Sequence, residues 1–146
     1  MQKDEHHNWD LTGIVARVGQ TDAPTTNLST GARAEVAEPV LDALYGTSQH
    51  QLILSSIRDI CLKICCDLER EIGTFGELGV DIIPDTVGQP HIIEINAKPG
   101  RAVFKRIAYS EDVSDADRQR FLCIRQRSVS MPFRYASTLA SKEFVG

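Results

Sequence analysis

Residues 77–101 read ELGVDIIPDTVGQPHIIEINAKPGR, and the pairing of this stretch with itself decides the fold. Two short apolar runs, 78–83 and 92–96, read as strands. Side chains on a strand alternate faces, so Glu94 and Asn96 point one way while Ile93 and Ile95 point the other. If residues 85–90 close a hairpin around Thr86-Val87-Gly88-Gln89, Asp81 falls opposite Glu94 on that same face. A change of one residue in loop length sends Asp81 to the other face. The favoured register gathers two carboxylates and an amide oxygen in one patch, with Lys98-Pro99-Gly100-Arg101 directly after it.

Hard oxygen donors of this kind suit Mg²⁺ (or Mn²⁺). Mg²⁺ takes oxygen at roughly 2.0–2.1 Å, keeps several waters, and is usually held by one or two carboxylates plus substrate phosphates. A bridging carboxylate such as Glu94 can hold two ions roughly 3.5–4 Å apart. The plainer reading is that each acid belongs to the solvated side of a half-buried sheet. Three such groups together, followed at once by a Pro-Gly turn between basic residues, weigh against it. Pro99 and Gly100 force a turn whose backbone N–H groups can face an anionic substrate.

Asp81, Glu94-Ile95-Asn96 and Pro99-Gly100 together resemble the closing, metal-binding end of an ATP-grasp ligase. The longer string GELGVDIIPD…GQPHIIEINAKPGR is similar to the endospore-coat-associated branch of that superfamily. The likeness runs back through Trp9, residues 12–19 (TGIVARVG) and residues 26–32 (TNLSTGA). It covers roughly residues 1–106 and returns near 132–139, leaving 107–146 as a helical C-terminal extension of the same domain portion. The resemblance implies that Asp81, Glu94 and Asn96 hold the Mg²⁺ of MgATP and that Ile93 forms part of the floor under adenine. It also implies that Arg17 stabilises the transferred phosphoryl group, with Asn27 and Gly31 in a loop nearby. Where the family shows paired glycines this chain has Gly31-Ala32, which weakens any need for positive φ at both positions.

The residues support plainer readings beside these. Arg17 offers a planar fork of donors that matches phosphate oxygens, and it is equally an ordinary strand-end arginine. Asn27 can orient a phosphate oxygen or cap the next element. Ile93, as a bare feature, is a core isoleucine.

The chain has 146 residues, enough for one domain and one sizeable core. It is 42% hydrophobic and 25% charged, which excludes global disorder. No apolar run approaches the roughly 20 residues of a membrane span, and residues 1–8 carry no apolar signal-peptide core. The expected setting is cytoplasmic, with spore association implied by the resembling branch, and the four cysteines are expected as thiols. The resemblance begins in what should be mid-domain, so Met1 is not expected to be a natural start. Residues 1–97 carry six Lys/Arg against fifteen Asp/Glu, and residues 98–146 carry ten against five. Either the basic end meets an anionic partner, or the two halves attract each other in the fold.

In order along the chain, residues 11–18 read as a strand and residues 20–30 as a polar loop containing Pro24. Residues 32–44 read as a helix that Pro39 kinks or shortens and Gly46 ends. Thr47 or Ser48 caps a longer helix with Ile53, Ile57, Ile60, Cys61, Ile64, Cys65, Leu68 and Ile72 on one stripe, and Gly73 stops it. Cys61 and Cys65 read as small buried hydrophobes, and His6, His7 and His50, which lack ligand spacing, as surface residues. Ser114 begins the last main helix, with Asp115 and Asp117 in its first turn. Pro132 begins a short final one.

The fold expected is α+β, an antiparallel sheet containing residues 9–19 and the hairpin, with helices packed on one face. The function expected is the ATP- and Mg-binding part of an ATP-dependent carboxylate–amine or carboxylate–thiol ligase working through an acyl phosphate. Its partners are a nucleotide and a carboxylate-bearing small molecule or peptide. The earlier half of an ATP-grasp domain, with its phosphate-binding lysines and lid, is not legible in these residues, so the chain alone is expected to bind without turning over. The alternative is a non-catalytic, spore-associated structural or interaction module. A nucleic-acid domain is not expected, because the basic end lacks interleaved aromatics.

Overall fold

A computed structural model of the chain describes residues 1–19 and 32–143. Among them the order is β1 (Gln2–Lys3), β2 (Trp9–Asp10), β3 (Ala16–Val18), β4 (Arg33–Glu35), α1 (Ala37–Tyr45), α2 (Thr47–Ile72), β5 (Gly79–Pro84), β6 (Pro90–Asn96), α3 (Ala102–Ala108) and α4 (Asp115–Glu143). The class is α+β with antiparallel pairing throughout. The sheet is divided into three two-stranded ladders, β1–β2, β3–β4 and β5–β6, so residues 9–19 and the hairpin do not share one ladder. A single bridge, Gln2 to Glu77, links the first ladder to the run into β5.

The hairpin β5–β6 closes on its Asp85 turn. The Asp85 N–H donates to Gln89 O and the Gly88 N–H donates to Asp85 O, each at 2.9 Å. The Asp85 carboxylate accepts from the Val87 and Gln89 N–H groups, the use for which turns favour Asp. The Gln89 N–H first, then His91, and then the Val87 N–H hold its carboxyl below the usual range. Gly88 has φ +85, and a Cβ there would stand 2.7 Å from Ile53 Cδ1. The turn therefore needs glycine for both conformation and space.

One face of the hairpin rests on α2. Val80 and Ile82 pack against the buried cluster Leu41, Ile53, Ile57 and Cys61, so helices cover one side of this ladder. The stripe of α2 is the reason: Ile53, Ile57, Cys61 and Cys65 recur every four residues and are all buried. Burial raises the thiols of Cys61 and Cys65, the latter to about 12, which keeps them protonated and inert at neutral pH. A second cluster, Ile107, Ala108 and Phe121, joins α3 to α4 and takes in Val15, Ala34 and Val36.

Several boundaries differ from the expectation. The strand read over 11–18 is confined to β3, and the helix read from residue 32 begins at Ala37, because residues 33–35 pair with β3. Pro39 lies in the first turn of α1, where its missing N–H would have no partner in any case. Gly46, at φ +83, ends α1 and immediately precedes α2, whose start carries no side-chain cap from Thr47 or Ser48. His50, expected at the surface, is buried with Nδ1 2.5 Å from Asp42 Oδ1. Ser114 caps α4 as expected, accepting from the Asp117 N–H at 3.1 Å.

Pro132 lies inside a continuous α4 rather than at the start of a new helix. A proline within a helix leaves the carbonyl four residues back without its donor. That carbonyl, Ser128 O, accepts instead from Gln2 Nε2 at 2.8 Å and Arg101 Nε at 2.9 Å. Gln2 Nε2 also donates to Glu77 Oε2 at 3.1 Å, and Arg101 Nη2 donates to the same oxygen at 2.5 Å. The proline thus exposes an acceptor that ties β1, the start of α3 and the lead into β5 to the long helix.

Candidate functional site

The register pairs Asp81 with Glu94, Val80 with Ile95 and Gly79 with Asn96. Partners across an antiparallel ladder share a face, so Asp81, Glu94 and Asn96 stand together on the side away from α2. This is the patch expected, but the loop does not set it. Pro84 pairs with Pro90, and a register that carried on regularly would place Asp81 opposite Ile93; a shift between Asp81 and Ile82 brings Glu94 there instead. Ile83 and His91, also partners, extend the same face toward the turn. Neither was singled out from sequence, although the i, i+2 spacing from Asp81 to Ile83 was available there.

The ladder is not regular. Asp81 pairs with Glu94 and Ile82 pairs with Ile92, which leaves Ile93 as the extra residue of a bulge. Regular alternation would put Ile93 on the buried side. The bulge leaves it 60% exposed instead, correcting its reading as a core isoleucine.

Arg17 comes to this patch from the β3–β4 ladder. Its Nη1 donates to Asp81 Oδ2 at 3.2 Å and its Nη2 donates to Asp81 Oδ1 at 3.3 Å. The contact is bidentate and occupies both oxygens of the carboxylate. The two side chains are 39% and 30% exposed, so solvent screens the pair, and its worth is about 0–1 kcal/mol. No sequence pattern announces this contact, since the partners are 64 residues apart.

The Pro99-Gly100 turn lies against the base of the hairpin. A Cβ on Gly79 would come within 2.9 Å of Pro99 Cβ, so glycine there lets the turn approach the strand that carries Asp81. Gly100 itself is exposed with open space around it. Arg101 turns away from the patch to Glu77 and Ser128. Asn27 and Gly31 lie outside the described residues.

Among the described residues, no group of three or more His, Cys, Asp or Glu is placed to hold a metal ion. The donor set here is different in kind: two carboxylates and one amide oxygen on adjoining strands. In chemistry it fits a hard divalent cation that keeps waters and shares phosphate oxygens. Arg17 and such a cation would compete for Asp81. A separate cleft of about 390 Å³, lined in part by Leu11, Ile14, Glu38, Leu54, Arg58 and Arg120, shares no residue with the hairpin.

Comparison with known proteins gives the following. The model of the YheC/D-like ATP-grasp family matches residues 1–139. The endospore coat-associated protein YheC of Bacillus subtilis (strain 168) is 29% identical over 108 residues, 74% of this chain and 30% of that protein. The endospore coat-associated protein YheD of the same strain is 26% identical over 103 residues, 70% of this chain and 22% of that protein. The chain thus spans less than a third of the length of either relative. No solved structure matches it.

Proposed function

The chain belongs to the YheC/D-like ATP-grasp family, and from that membership we propose that it is the ATP- and Mg²⁺-binding part of an ATP-dependent ligase. The reaction class is the joining of a carboxylate to an amine or thiol through an acyl phosphate. One observation supports it above the others: the hairpin register sets Asp81 opposite Glu94, with Asn96 on the same face and Arg17 beside them. ATP-grasp membership implies ATP binding in general; the metal, the ligase chemistry and the residue roles are this proposal's own.

When bound, MgATP supplies the phosphoryl group that activates the substrate carboxylate. The chain's residues do the positioning. Asp81, Glu94 and Asn96 hold the divalent cation. Arg17 presents its guanidinium fork to the phosphate oxygens where charge gathers during transfer. The exposed Ile93 gives the nucleotide base an apolar surface. Positioning and electrostatics supply most of the catalysis in such transfers, so none of these residues needs to act as a general base. The carboxylate substrate is a small molecule or peptide. Both relatives are endospore coat-associated proteins, which makes the endospore coat the place to look for this one, and among the described residues no helix is long and apolar enough to cross a membrane.

The test is thermal unfolding with Mg²⁺ or Mn²⁺, with and without ADP, on this chain and on Glu94→Gln. Metal-dependent stabilisation by ADP in the natural sequence, abolished in Glu94→Gln, is the expected result. ADP stabilisation that is indifferent to both metal and Glu94 would overturn the assignment of the hairpin face.

A further inference from the structure

We propose that Arg17 is the resident counter-cation of Asp81, holding the carboxylate until a divalent metal displaces it, and that the arginine released in this way is the one that grips nucleotide phosphate. The inference rests on the reading of Asp81, Glu94 and Asn96 as the metal face and adds a coupling to it. Both Asp81 oxygens accept from the guanidinium, which takes two of the carboxylate's roughly four acceptor sites and sets a positive charge against it. A divalent metal approaching Asp81 meets the guanidinium's positive charge and competes with it for the same two oxygens. The contact is also weak enough to exchange. It is about a third open to water, at 3.2–3.3 Å rather than the shorter distances of tight charge-assisted pairs.

Arg17 reaches Asp81 from a different ladder, with Ala34 as its β4 partner. The two groups can therefore separate without breaking the β5–β6 hairpin. Displacement then links two events. Metal entering at Asp81 would free the Arg17 guanidinium for phosphate. Phosphate drawing Arg17 away in turn uncovers Asp81. Each ligand lowers the cost of the other, a positive coupling that must be reciprocal. The same pair keeps the carboxylate patch partly neutralised when both ligands are absent.

The experiment is Mn²⁺ binding to the 146-residue chain, followed by the electron paramagnetic resonance signal of free Mn²⁺. It is run without nucleotide and then with ADP, on the natural sequence, Arg17→Lys, Arg17→Gln and Asp81→Asn. Equal thermal midpoints confirm that all are folded. Without nucleotide, both Arg17 variants are expected to bind Mn²⁺ about two- to fivefold more tightly, the size of an exposed ion pair removed as competitor. With ADP present the order reverses, because the variants have lost the phosphate contact. Arg17→Lys separates the clamp from simple charge, since it keeps the cation and loses the fork. If Lys binds Mn²⁺ as the natural sequence does, while Asp81→Asn binds worse, the metal face stands and the displacement is overturned. If Asp81→Asn leaves Mn²⁺ binding unchanged, the metal face itself is wrong and the displacement falls with it.

Discussion

Glu38 shows how single ion pairs join the two oppositely charged parts of the chain. Its carboxylate accepts from Arg120 Nη1 at 2.6 Å and Nη2 at 3.1 Å, and these bonds hold its carboxyl below the usual glutamate range. A carboxyl depressed on folding contributes stability above its unfolded value, near 4.5, and loses it as pH falls through the lower folded value. The pair is more than a third exposed, so Glu38→Gln should cost only about 0.5 kcal/mol at pH 7. Urea denaturation should show that difference shrinking to nothing once the native carboxyl is protonated. A cost that grows toward low pH would contradict this. At the same scale, the reading of His50 as a surface residue failed because Asp42, eight residues earlier, is brought beside it only by the bend between α1 and α2. Cys61 and Cys65 were legible because a helical stripe needs no long-range partner.

Among the elements, the hairpin was the most legible. Strand alternation fixes which residues share a face, and Asp85 with Gly88 fixes the loop, but the register they set near the turn would carry Asp81 opposite Ile93. What they left out was the bulge at Ile93, an irregularity that alternation does not encode. The long α4 was misread at Pro132, because the residue that compensates a proline can come from anywhere in the chain. Here Gln2 and Arg101 take the freed Ser128 carbonyl. Relieving a proline in a helix interior ordinarily gains about 3 kcal/mol. Pro132→Ala should gain about 1 kcal/mol or less, since the new N–H competes with two donors already in place. Chemical denaturation measures this directly. A gain near the full value would mean that the proline is a passive defect and the two side-chain bonds are incidental.

Across the whole molecule, the uneven charge of the chain resolves into contacts between its parts. Arg101 pairs with Glu77, Arg120 with Glu38 and Arg127 with Asp10, so three of the basic residues after position 97 meet acids before it. The attraction between halves, one of the two readings open from composition, is present in the fold. The β1 strand of the first ladder was not legible, because its Gln2 and Lys3 are polar residues that are rarely buried. Lys3 is accommodated by an ion pair with Glu69, and its ammonium lies 5.4 Å from the Trp9 ring centre and 5.7 Å from that of Tyr135. The helices cover the back of the hairpin, leaving Asp81, Glu94 and Asn96 on its open side and Ile93 exposed at the bulge.

The most direct test of that arrangement is a Mn²⁺ titration of the chain followed by backbone amide NMR. Substoichiometric Mn²⁺ broadens signals near the ion before any others. The account predicts that the amides of residues 79–81 and 94–96 broaden first, and that Glu94→Gln delays the effect to higher Mn²⁺. Early broadening at another acidic cluster, such as Asp67 to Glu71 on α2, with the hairpin signals untouched, would contradict it.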